Sequence, residues 1–174
     1  MNWLTTSIIV IGVLIWCSRK SAPARKTKPL TPGKAKRISK EQIKALMDSH
    51  DVGKMAAALD HVKTPLDRHH LLSAMVQELY RQRDQPAVRK QLYDYGDTYV
   101  DEFSQFASAL KAASDTGEMQ VPVFKCLAIA MEEDQRYQDA LEICRVAVEW
   151  DLDDGTKTGY AGRINRIKKK QAAQ

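Results

Sequence analysis

Cysteine is scarce in this chain of 174 residues: Cys17, Cys126 and Cys144 are the whole supply. The number is odd and no C-x-x-C pair occurs, which argues against a disulfide framework or a structural zinc site and fits a reducing compartment. Sustained alternation of apolar and polar residues with β-branched enrichment is also missing, so a sheet is not expected. Acidic residues are absent from the first forty positions, where nine Lys and Arg stand alone. The formal charge of +5 therefore hides three blocks: +9 over residues 1–40, −9 over 41–162 and +5 over 163–174. The basic excess lies in the flanks, so the pI of about 9.1 is a poor argument for a nucleic-acid face, and nucleic acid is an unlikely partner.

Catalytic patterns are missing too. His50, His61, His69 and His70 form no His-Glu-x-x-His arrangement, and adjacent histidines on a helix point in different directions. Asp151-Leu152-Asp153-Asp154-Gly155 has the flavour of a calcium loop, but its acids are misplaced by one, and Gly162 stands where a closing Glu is needed. Gly155-Thr156-Lys157-Thr158 lacks the Gly-x-x-x-x-Gly-Lys pattern of a phosphate loop. Cys126 and Cys144 read as small core residues, and Glu132, Glu133 and Asp134 as a solvated turn. The reading is of a protein that is not an enzyme and uses no cofactor or metal.

What the chain does have is an uncharged run from Trp3 to Cys17, WLTTSIIVIGVLIWC. Residues 1–18 as a helix would span about 27 Å, which predicts a single transmembrane anchor. Trp3 and Trp16 would sit at the two interfaces, with Arg19 and Lys20 following only on the C-terminal side. That charge bias places the N-terminus outside and the body in the cytoplasm. A cleaved signal ending near Ala22-Pro23-Ala24 is the alternative. Residues 19–38, with Pro23, Pro29, Pro32, Gly33 and repeated bases, read as a flexible linker able to touch anionic lipid.

Residues 39–174 read as helix after helix. Ser39 and Gln42 are spaced as a capping box, Thr64-Pro65 opens a helix with proline at its first position, and Asp84-Gln85-Pro86 begins the next. Leu71, Leu72, Met75, Val76 and Leu79 follow at helical spacing. The stretch from Val88 to Ala113 is rich in aromatics, and Gly96-Asp97 suggests a break or bend within it. Tyr93, Tyr95 and Tyr99 are candidate contact residues, although core packing suits each better.

From Val121 to Asp154 two amphipathic helices flank the turn Glu133-Asp134-Gln135-Arg136. Phe124, Leu127, Ala128 and Met131 share a face on the first, and Ala140, Ile143, Cys144 and Ala147 on the second. With Phe124 at a large-apolar start, Leu127-Ala128 as a Leu-small pair, Tyr137 before the second helix and Ala140 and Ala147 at its small positions, the hairpin resembles a tetratricopeptide repeat. It departs from that pattern at Met131, Cys144 and Leu152. The resemblance implies an all-α, tetratricopeptide-like stack of hairpins binding a protein or peptide partner, closed by a capping helix at about 158–170. In that helix Tyr160, Ile164 and Ile167 share a face, Gly159 and Gly162 allow close approach, and the basic tail forms a solvated outer side. Together these readings describe a membrane-anchored helical adaptor. The alternative is an anionic lipid or nucleic-acid binder acting through linker and tail.

Overall fold

The computed structural model describes residues 38–114 and 119–173. They form seven α-helices: α1 (Lys40–Asp48), α2 (Val52–Ala58), α3 (Pro65–Arg81), α4 (Pro86–Ala113), α5 (Pro122–Glu133), α6 (Tyr137–Glu149) and α7 (Gly159–Ala172). A 3-10 turn, Leu59–His61, ends α2. Two short strands, β1 (Met119–Gln120) and β2 (Leu152–Asp153), pair in parallel and tie the entry of α5 to the exit of α6. Leu152 is buried within β2. A proline there would remove a backbone N–H from the ladder.

The transmembrane helix expected over Trp3 to Cys17 is not supported, and the fold class is corrected to all-α without it. Among the described residues no helix is long and apolar enough to cross a membrane. The longest, α4 with 28 residues, has the length but carries Asp94, Asp97, Asp101 and Glu102 along it, and charge placed in hydrocarbon is costly. The expected span, with Trp3, Trp16, Arg19 and Lys20, lies outside the described residues, as does most of the linker.

Local chemistry explains where the helices start. Ser39 caps α1 through a reciprocal capping box with Gln42. Asp51 caps α2 by accepting from the Lys54 N–H, and Thr64 caps α3 by accepting from that of Asp67. Pro65, Pro86 and Pro122 each occupy the first turn of α3, α4 and α5, where a missing N–H costs nothing and φ is already helical. Three helices stop in the same way, with His50, Gln135 and Asp151 in the left-handed region after α1, α5 and α6. That conformation reverses the chain but is strained for any residue with a Cβ.

Helix α3 packs against α1, α2, α4 and α5, α5 against α6, and α6 against α7. A small core of Ile43, Met55, Ala58, Leu71 and Met75 joins α1 and α2 to α3. The larger core runs from α3 through α7 around Tyr99, Phe103, Phe106 and Phe124. Phe103 lies edge-to-face with Phe106 and Phe124 at ring separations of 5.6 and 5.1 Å. Such geometry adds about 0.5–1.5 kcal/mol per pair to the burial itself.

The break expected at Gly96-Asp97 does not occur, and α4 runs through both residues. Gly96 serves the packing instead. A Cβ on it would stand 2.3 Å from Cδ2 of Leu127 on α5, so its missing side chain is what lets α4 and α5 meet.

Candidate interaction face

Two charged networks hold the hairpin α5–α6 in place, and both use residues that the sequence presents as solvated. The first clamps the turn between the two helices. Arg89, at the start of α4, donates from Nη2 to the Ala130 carbonyl (2.9 Å) and Glu133 (2.7 Å), and from Nε to Asp134 (3.0 Å). It thereby adds a second hydrogen bond to the Ala130 carbonyl, which already accepts from the Asp134 N–H, at the C-terminal end of α5 where positive charge is favoured by the helix dipole. Arg83 grips Glu133 through Nε and Nη2 while its guanidinium lies 4.1 Å from the Tyr80 ring centroid. Tyr93 donates to Asp134 at 2.5 Å, and Arg136 lies 4.5 Å from the Tyr93 ring centroid. The Arg83 hydrogen bonds outweigh the cost of burial and hold the Glu133 carboxyl below its ordinary range.

The second network lies between α5, α7 and the loop after β2. Arg163 is buried, with Nη2 donating to Asp154 at 3.2 Å and Nη1 to Glu132 at 3.4 Å. Lys170 reaches the other oxygen of Glu132 at 2.7 Å. The Asp154 side chain is fully enclosed. Burial alone would raise its pKa, but hydrogen bonds from the Thr156 hydroxyl and N–H, together with Arg163, bring it below the ordinary value. Lys125 of α5 donates to the Asp154 carbonyl at 2.9 Å, closing the loop against the helix.

The basic C-terminal helix is therefore not simply a solvated outer face, since Arg163 packs inward between Tyr160 and Ile167. Its glycines also differ in role. Gly162 sits where a Cβ would collide with the Thr158 side chain, whereas Gly159 has open space around it and a φ of +55°. Close approach accounts for the first and the left-handed backbone for the second.

The residues singled out from the repeat pattern gather in one core. Phe124, Leu127, Ala128, Ala140 and Ala147 are all fully buried, and Tyr137 is half-buried at the start of α6. Of the candidate contact tyrosines, Tyr99 is fully buried, Tyr93 is engaged by Asp134 and Arg136, and Tyr95 is half-buried. None stands free as an anchor.

Cys126 and Cys144 are free, and burial pushes their thiols up to about 11 and about 12, which leaves them neutral and weakly nucleophilic near pH 7. No group of three metal-ligating side chains occurs among the described residues. The carboxylates of Glu132, Glu133 and Asp154 are each engaged by cationic side chains. One hollow of about 340 Å³ is lined by Gln42, Ala45 and Leu46 of α1, Lys54 of α2, and Ile38 and Ser49 on either side of α1. Another of about 170 Å³ lies at the start of α5 beside Lys125 and Asp154.

The fold defines the class as an all-helical protein built from packed hairpins. Comparison with protein-family models, curated proteins and solved structures finds no match to this chain.

Proposed function

We propose that residues 38–173 form a tetratricopeptide-like interaction module that binds a peptide or partner helix along the outward sides of α3, α5 and α7. The order of packing carries this reading. Hairpin α3–α4 lies against α5, the first helix of the next pair, through both α3 and α4, and α7 packs on α6 as a following first helix would. Repetition of that kind sets first helices side by side and makes one extended face. On α5 this leaves Lys125 and Ile129 partly exposed while Phe124, Leu127, Ala128 and Met131 are buried. A helix or strand laid across such a face is held by side chains from several helices at once.

The test compares surface variants of the full chain in a crosslinking pull-down. Q77A, I129A and R166A change the proposed face on α3, α5 and α7, and Q91A and Q138A serve as controls on α4 and α6. Loss of a captured partner with the first group alone supports the reading. Equal loss in both groups overturns it. Capture that depends steeply on salt and is removed by nuclease also overturns it, in favour of an anionic partner.

A further inference from the structure

We infer that His69 is an acid-operated latch on the α3–α4 hairpin, holding the two helices together while its ring is neutral and loosening them when the ring is protonated. His69 lies on α3 with only 8% of its surface exposed. The Tyr99 hydroxyl of α4 is 2.8 Å from its Nδ1. Three aromatic rings enclose it: His70 at 5.1 Å, Phe106 at 5.4 Å and Tyr99 at 5.7 Å between centroids. This wall carries no carboxylate to balance an imidazolium.

Glu102, Asp60, Glu78 and Lys125, on the elements around it, have other engagements. Glu102, one turn beyond Tyr99 on α4, is held from two nitrogens by Arg68. Asp60, in the 3-10 turn after α2, acts on Arg68 rather than on the ring. Glu78, farther along α3, bonds Arg81, Gln82 and the His50 ring that follows α1. From α5, Phe124 approaches Tyr99 at a ring separation of 6.2 Å, while Lys125 is turned to Asp154. The neighbour that could carry charge beside His69 is His70, and its effect is repulsive.

A neutral ring can accept the Tyr99 O–H proton at Nδ1. Protonation fills that nitrogen, so the hydroxyl must become the acceptor and its own proton needs a new partner in an aromatic wall. One proton thus both places charge in an apolar site and disrupts the hydrogen bond between α3 and α4. Burial, followed by repulsion from His70, pulls the imidazole down to about 4. The unfolded chain takes up this proton near the ordinary value of about 6.5. Stability is therefore complete above that value, and it declines as pH falls from about 6.5 towards 4, because the unfolded or opened state binds the proton first.

Amide hydrogen exchange on the full chain tests this. Between pH 7 and 4.5, after correction for intrinsic exchange, protection across α3 and α4 should fall on the order of 100-fold, tenfold for each pH unit between the two titrations. In H69Q, which keeps a polar side chain but cannot take the proton, the fall should shrink to a few-fold. An unchanged fall in H69Q overturns the latch. Should H69Q not fold, NMR titration of the His69 ring in the native chain decides: a ring still neutral at pH 5 supports the latch, and titration near 6.5 in the folded state overturns it.

Discussion

Gly96 and Leu127 meet so closely that the absence of one atom on α4 sets the position of α5. Replacing Gly96 with Ala should destabilise the protein by about 1–3 kcal/mol, even though alanine is the better helix former by up to about 1 kcal/mol. L127A alone should cost about 2–5 kcal/mol through its cavity. The double variant should lose less than the sum, because each change makes room for or fills the other. A double-mutant cycle from urea unfolding checks the coupling, and strict additivity would show that the two residues do not share space.

Arg89 serves a carbonyl and two carboxylates at the turn of α5–α6. R89A should lower stability by about 2 kcal/mol, the scale of hydrogen bonds to charged groups less solvent screening. R89K should recover little, since an ammonium cannot present the planar fork. Chemical denaturation of the three proteins at fixed ionic strength gives the comparison, and full rescue by lysine would reduce the clamp to a simple charge effect.

The Arg163–Asp154 pair is a different case because its carboxylate is enclosed. D154A should be strongly destabilising, by about 3–5 kcal/mol, since it leaves a buried guanidinium with one partner fewer. R163M combined with D154A should be milder than D154A alone. The pH dependence has its own window: Asp154 has a lowered pKa in the fold, so its contribution is complete above about pH 4 and disappears as pH falls below that. Acid unfolding curves should therefore separate it from His69, which acts between about 6.5 and 4.

Gln135 occupies the left-handed region at the end of α5 without being a glycine. Q135G should raise stability by about 1 kcal/mol, because removal of the Cβ relieves more strain than the added backbone freedom costs. Thermal melts of wild type and Q135G give the sign directly, and a lower melting temperature would show that the Gln135 side chain contributes more than its strain.

Helix starts were legible because their causes are local. Ser39 with Gln42 and Thr64 with Pro65 carry their signals within four residues, and the apolar spacing of Leu71 to Leu79 needs no distant partner. What escaped depends on residues far away in the chain. Gly96 looks like a breaker until Leu127 is beside it. Arg163 looks like part of a basic solvent face until Asp154 and Glu132 are placed around it. His69 and His70 are indistinguishable as neighbours, yet one is buried and the other exposed. The bridge between β1 and β2 involves two residues on each side, too few to leave any periodicity. The apolar run at Trp3 to Cys17 had the composition of a membrane span, but composition alone assigned it.

The same small bridge bears on the order of assembly. Met119 and Leu152 pair across 33 positions of sequence, and nothing brings them together until the two helices between them have docked. Their pairing must then come late, after local helix formation, because closing so long a loop is favourable only once the intervening contacts exist. A probe at Met119 would time the completion of folding, whereas one within α5 or α6 would report the earlier docking that the pairing requires.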